Sequence, residues 1–396
     1  MAEMGSLPVL GTTPRIQSLL VKPASAVCNL DCEYCFYLDR DADPYRDLPG
    51  RRMSDEVLER MTDQFMFYSY PNSVFAWQGG EPTLAGLKFF ERAVELQQRY
   101  GRPGQVVSNA LQTNAIVINE DWCPLLRDYS FLLGVSLDGP QEVHDRYRLN
   151  RGRQGTWRRV MDVIEILRQH KVDFNILCVV NQANVGQPRK LYEWFKREGF
   201  DFVQYIPLAE FDKDGKALPF ALQPEQWGSF LVETFECWWP ERRKMHLRFF
   251  DNIVEALVGE RPGNCTMHTT CDSYVVMEYN GDVYPCDFFV EQPWKIGNIM
   301  IDSFPEVARK ARRVDFARNK TLPRAECASC EFEFMCHGGC PKMRYGPHHQ
   351  FEDLDYFCRA YKMIYARALP PLRREAERIR KEMADAGRVC SVGPMG

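Results

Sequence analysis

The chain has 396 residues, 45% of them hydrophobic, and a formal net charge of -4. That is too long for one small domain, although an α/β barrel of ~250 residues folds as one unit, and the charge gives no general pull toward nucleic acid or an anionic membrane. No stretch approaches the ~20 apolar residues of a membrane span, and the opening "MAEMGSLPVLGTTPRIQ" lacks the basic region and apolar run of a signal peptide, so the cytoplasm is the expected location.

After the segment 1–17, short apolar runs alternate with amphipathic stretches. "SLLVKP" (18–23), "SVFAWQ" (73–78), "VVSNALQT" (106–113), "FLLGVSL" (131–137), "FNILCVV" (174–180) and "FDFVQYI" (200–206) read as strands, apolar on both faces as buried parallel strands are. Helical patterns over 54–70, 87–100, 157–170 and 188–198 separate them, the first opening on Ser54 as N-cap with Asp55 and Glu56 behind it. The alternation predicts an α/β fold: a partial (β/α)6 TIM-like barrel over 18–209, with its mouth at the C-terminal strand ends. A connecting region, 210–262, carries helical stretches near 224–239 and 250–258. From 263 the composition shifts to cysteine, glycine and turn residues. There "YVVMEYNGDVYPCDFF" (274–289) predicts a β-hairpin turning at Asn280-Gly281. Two strands are too few to stand alone, so metal ligation is expected to help hold this C-terminal domain, 263–368. A long charged helix over 359–387 leads into a tail, 369–396 marking the helix end and the remainder. No internal repeat is visible.

The 15 cysteines are clustered. Three stand in "CNLDCEYC" (28–35), eight lie between Cys265 and Cys358, and Cys123, Cys178, Cys237 and Cys390 stand alone and read as inert thiols. In a reducing cytosol, clustered cysteines read as metal ligands. The first group follows strand one, at the mouth. Its spacing, C-x3-C-x2-C, supplies three soft ligands where a structural zinc or a cubane cluster has four places. Spacing alone leaves two readings open: a zinc site completed by a distant ligand, or a 4Fe–4S cluster with one open iron that an amine and a carboxylate could chelate. "WQGGEPTLAG" (77–86), after the second strand, favours the latter: Gly79 and Gly80 would let a ligand approach the backbone, and Glu81 offers an acceptor for an ammonium group.

"CNLDCEYC" with "GGEP" resembles the radical S-adenosylmethionine (SAM) enzymes. The resemblance implies that the amine and carboxylate of SAM fill the open corner of the cluster held by Cys28, Cys32 and Cys35, and that SAM is cleaved to a 5′-deoxyadenosyl radical. It puts Tyr34, Gln78, Gly79, Gly80, Glu81 and Ser136 of "GVSLDGP" (134–140) at the cofactor, with Arg148 of "DRYRLNRGR" (145–153) pairing with the SAM carboxylate. The pattern C-x2-C-x5-C-x3-C with a later cysteine is similar to the SPASM domain of these enzymes, although zinc ribbons share such spacings. That similarity implies two auxiliary 4Fe–4S clusters, one on Cys265, Cys271, Cys286 and Cys340, the other on Cys327, Cys330, Cys336 and Cys358, both serving electron transfer.

Further stretches, "KPASAVCNLDCEYCFY", "FAWQGGEPTLAGLKFF", "SNALQTNA", "FNILCVV", "RFFD" (248–251) and "NGDVYPCDFF" (280–289), make residues 18 to 368 similar to the anaerobic sulfatase-maturating enzymes. This implies oxidation of a Cys or Ser of a sulfatase, within a C/S-x-P-x-R motif, to Cα-formylglycine. Hydrogen leaves the target Cβ, Asp287 takes a proton as general base, and an electron exits through the auxiliary clusters. Asp287 also admits a merely orienting role, and Tyr37 is expected beside the substrate. The implied partners are an unfolded or nascent sulfatase, a reducing donor such as a flavodoxin or ferredoxin, and no nucleic acid or membrane; a monomer is expected. The nearest alternative is a SPASM maturase that crosslinks a small ribosomal peptide, which the short segment 1–17 argues against because it is too small for a leader-binding domain. A non-enzymatic electron carrier or zinc module would leave the open triplet without purpose.

Overall fold

The computed structural model describes residues 16, 18–37, 43–344 and 350–385. The segment 1–17 apart from Ile16 and Cys390 with its tail lie outside the described residues. Six strands stand where the apolar runs predict them. They are β1 (Ser18–Lys22), β2 (Asn72–Trp77), β3 (Val106–Thr113), β4 (Leu132–Ser136), β5 (Phe174–Val180) and β6 (Phe202–Pro207), each parallel to the next. Leu19, Val21, Phe75, Trp77, Leu111, Leu133, Val135 and Ile176 bury their side chains at the centre of this sheet.

The crossovers carry α1 (Asp55–Ser69), α2 (Leu87–Tyr100), α3 (Cys123–Asp128), α4 (Trp157–Gln169) and α5 (Pro188–Arg197). Ser54 caps α1 by accepting a hydrogen bond from Val57 N at 3.3 Å. Val57, Leu58, Met61 and Phe65 then recur at helical spacing on its buried face. A two-residue strand, β7 (His246–Leu247), extends the sheet beyond β6 between α6 (Pro224–Trp238) and α7 (Arg248–Val258). The long helix α8 (Cys358–Asp385) packs on α6 and α7.

The hairpin does not stand alone, as two strands cannot; its support includes a ladder to the barrel sheet that the sequence did not announce. Its first strand, β8 (Tyr274–Glu278), lies parallel to β1, with Ser18 opposite Tyr274 and Lys22 opposite Glu278. Strand β9 (Asp282–Tyr284) and β10 (Gly297–Asn298) follow antiparallel. Gly281, at φ 84°, makes the turn, where a side chain would be strained. One sheet therefore runs β10-β9-β8-β1-β2-β3-β4-β5-β6-β7. The ladder to β1 holds the hairpin, and Asp287, three residues past β9, comes within 3.5 Å of Lys22 at the end of β1.

Candidate active site

The loop after β1 carries Cys28, Cys32 and Cys35, and three sets of contacts fix it. Main-chain pairing with the stretch 147–151 comes first: Asp31 N donates to Leu149 O at 2.8 Å and Glu33 N to Tyr147 O at 3.2 Å. Arg151 Nη2 adds a bond to Cys28 O at 2.6 Å. Second, Leu30 N and Asn114 Nδ2 reach Cys28 Sγ at 3.4 and 3.5 Å, the N–H to sulfur contacts that tune iron–sulfur ligands. Third, the Tyr34 hydroxyl donates to the buried Asp138 Oδ2.

Asp138, just past β4, also receives Arg148 Nε at 3.0 Å, Arg148 Nη2 at 3.1 Å and Val179 N at 3.0 Å. Among the described residues the partner of Arg148 is thus Asp138, beside the place where the SAM carboxylate is expected. Its guanidinium makes a two-pronged pair with Asp138, and burial of that pair makes it a brace for the cysteine loop. Tyr34 likewise spends its hydroxyl on the protein. Ser136, at the end of β4, stays half-buried at the mouth.

The Gly-Gly-Glu-Pro turn packs closely against the chain itself. A Cβ on Gly79 would lie 2.4 Å from Ser25 O, and one on Gly80 would lie 2.4 Å from both Ala26 O and Val27 O. The close approach is to the chain's own 25–27 loop. Gly80 N and Glu81 N bond Ser25 O and Val27 O at 2.9 and 2.8 Å across it. Nor is Glu81 an open acceptor. Its carboxylate, 1% exposed, takes Thr83 N at 3.0 Å, Thr83 Oγ1 at 2.6 Å, Thr113 Oγ1 at 2.8 Å and Asn114 N at 2.7 Å. Burial pushes its carboxyl up while these donors pull it down. Glu81 thus staples the exit of β2 to the exit of β3.

Asp287 lies at the same mouth. It accepts from Tyr37 OH and from Gln78 Nε2 at 3.2 Å, and Lys22 Nζ stands 3.5 Å from its other oxygen. Burial and the Asp287 carboxylate push the Tyr37 phenol well above its ordinary range, so it stays a donor. Lys22 is 2% exposed and also pairs with Glu278 Oε1 at 2.7 Å, its register partner on β8. Sequence reading brought Tyr37, Gln78 and Asp287 to this place and missed Lys22, Glu278 and Asp138. The signal available was a charge closing each of two apolar strands, "SLLVK" and "YVVME".

The second cysteine field separates into two neighbourhoods. Cys265, Cys271 and Cys286 have Cys340 as a common electrostatic neighbour. Cys327, Cys330, Cys336 and Cys358 line one cavity with Asp355 and Tyr361. Among the described residues, no three His, Cys, Asp or Glu side chains gather as a single metal ion requires. Burial pushes the Cys28 and Cys340 thiols up to about 11 and those of Cys32, Cys271 and Cys336 to about 12. Such thiols ionise only against a strong positive charge, which iron supplies. In donor chemistry all three groups fit iron–sulfur clusters. Of the lone cysteines, Cys123 and Cys178 are buried and Cys237 is half-buried. No helix among the described residues is long and apolar enough to cross a membrane.

Comparison with known proteins agrees with this geometry. The model of the Radical SAM superfamily matches residues 23–195, and that of an iron-sulfur cluster-binding domain, SPASM, matches 265–331. Over 372 residues the chain is 38% identical to the serine-type anaerobic sulfatase-maturating enzyme of Bacteroides thetaiotaomicron, covering 89% of each chain. Over 369 residues it is 35% identical to the cysteine-type anaerobic sulfatase-maturating enzyme of Clostridium perfringens, covering 92% of this chain and 99% of that one. The solved structure of native anSMEcpe with bound AdoMet and Kp18Cys peptide superposes with a TM-score of 0.85 at 35% identity, covering 92% of this chain and 100% of the other.

Proposed function

The chain belongs to the anaerobic sulfatase-maturating enzymes, and from that premise we propose how its residues share the work. It is a radical SAM oxidoreductase with a SPASM domain, and it converts a Cys or Ser of a sulfatase, in a C/S-x-P-x-R motif, to Cα-formylglycine. Three 4Fe–4S clusters serve it: one on Cys28, Cys32 and Cys35, one on Cys265, Cys271, Cys286 and Cys340, and one on Cys327, Cys330, Cys336 and Cys358. When bound, the first cluster with SAM supplies a radical for hydrogen abstraction at the target Cβ, and the auxiliary clusters supply an outlet for an electron.

The chain's own groups do the rest. The turn 78–81 and Ser136 border the space for SAM, while Tyr34, Glu81, Arg148 and Asp138 hold the loops that shape it. Asp287 accepts the proton of the target hydroxyl or thiol. Tyr37 and Gln78 orient its carboxylate, and Lys22 keeps positive charge beside it. With Ser the aldehyde forms directly; with Cys, water must replace sulfur, which leaves as sulfide. The observation that carries this reading is Asp287 itself. It directly follows a cluster ligand and lies 3.2 Å from Gln78 of the cofactor turn, so proton and electron leave the target on one side. The partners of this reading are an unfolded or nascent sulfatase and a reducing donor such as a flavodoxin or ferredoxin, met by a monomer in the cytoplasm.

Anaerobic incubation of the iron-loaded protein with SAM, a strong reductant and a C-x-P-x-R peptide tests it. The peptide should exchange sulfur for oxygen and lose two hydrogens, and the Ser version should lose two hydrogens alone. Deoxyadenosine with an unchanged peptide would reject the substrate.

A further inference from the structure

Two cations are buried among the thiols of the C-terminal field. Lys320 and Arg344 are each 1% exposed. Their acceptors are main-chain carbonyls. Lys320 Nζ donates to Thr266 O at 2.7 Å and Cys265 O at 3.2 Å. Arg344 donates to Gly338 O, to Gly339 O at 3.4 Å, to Asn319 O and Lys320 O at 3.3 Å each, and to Phe351 O at 3.5 Å. Arg344 therefore pins the backbone of Lys320 beside the Gly338-Gly339 turn that delivers Cys340. Burial pulls the Lys320 ammonium below its ordinary range, and the thiols of Cys271, Cys340 and Cys265 are the groups whose negative charge opposes that pull.

The buried carboxylate of Asp355 faces both cations and offsets part of their charge; a cation buried mainly against carbonyl dipoles is still costly, and a further anion lowers that cost. A cubane held by four thiolates is such an anion, and it gains a further negative charge on reduction. Its potential follows net charge, hydrogen bonds and exposure. A fixed cation at its edge therefore favours the reduced form. From these contacts we infer that Lys320 sets the potential of the first auxiliary cluster, the one on Cys265, Cys271, Cys286 and Cys340, so that this cluster takes the electron released by the target. The inference rests on the ligand assignment above. Its balance is simple: after one hydrogen atom has left Cβ, the target gives one proton to Asp287 and one electron to this cluster.

The test is a redox titration of the iron-loaded protein followed by electron paramagnetic resonance, with iron and zinc counted beforehand. In Lys320→Met the reduction constant of one auxiliary cluster should fall at least tenfold, ~59 mV toward negative potential. The other clusters should be unmoved, and Lys320→Arg should keep the wild-type value. Full iron with an unshifted potential in Lys320→Met overturns the inference and leaves the ligand assignment standing. If Lys320→Met loses iron, recovery of iron and potential in Lys320→Arg supports the role of charge, whereas loss in both variants assigns the position to packing and overturns it. Zinc in place of iron in the wild type would defeat the ligand assignment, and the inference with it.

Discussion

Around Cys28, Cys32 and Cys35 the polar partners come from the ends of regular strands. Asp138 follows β4, Val179 lies in β5, and Glu81 bonds Thr113 of β3. Around Cys265, Cys327 and Cys340 the chain itself runs in short helical turns, Cys265–Met267, Ala325–Ala328, Glu333–Cys336 and Pro341–Met343, with α8 opening at Cys358, and its buried cations donate to main-chain carbonyls. The same ligand type is thus presented in two ways. The barrel holds its cysteine loop by protein contacts, so one cluster corner can stay free for chemistry. In the proposed assignment the C-terminal field closes each of two clusters with four thiols and takes part of its order from them.

Five variants break or sharpen this contrast. Cys28→Ala should abolish SAM cleavage and leave the thermal midpoint within ~2 °C of wild type, because the brace through Asp138 and Arg148 persists; deoxyadenosine formation and circular dichroism check this. A melt that collapsed would mean that the barrel loop also depends on its cluster. Asp287→Asn should still form deoxyadenosine while formylglycine falls by ~10²-fold or more. Near-normal product would reduce Asp287 to an orienting group.

Cys265→Ala or Cys327→Ala should lower bound iron by about a third, the share of one cluster in three, and open residues 263–344 to limited proteolysis while the barrel resists. Unchanged iron would count against the eight-ligand scheme. Asp138→Ala leaves Arg148 buried without its carboxylate and should cost about 3–5 kcal/mol in denaturant unfolding of the barrel. A cost below ~1 kcal/mol would remove the basis for calling that loop self-supporting.

Much of this was legible in the chain. The six barrel strands are apolar runs bounded by turn residues, and the helices between them repeat at 3–4 residues, so local pattern and tertiary place coincide. Strands β7 and β10, two residues each, carry no pattern to read. The pairing of β8 with β1 is a contact between distant segments that neither strand encodes alone. That pairing is also why Lys22 and Glu278 escaped notice: each reads as the polar end of its own strand until the register sets them opposite one another. The closeness of Asp287 to Cys286 was legible because they are neighbours in sequence. The intramolecular contacts of Gly79, Gly80 and Glu81 were not, since the loop they pack against comes from another strand's exit.

The most direct measurement follows one atom. A target peptide deuterated at the Cβ of its Cys or Ser is incubated anaerobically with the iron-loaded protein, SAM and reductant, and the deoxyadenosine is weighed. Deuterium carried into deoxyadenosine, with formylglycine in the peptide, is the predicted result. Deoxyadenosine free of deuterium beside an oxidised peptide would contradict hydrogen abstraction at Cβ, and with it the roles given to the barrel mouth and to Asp287.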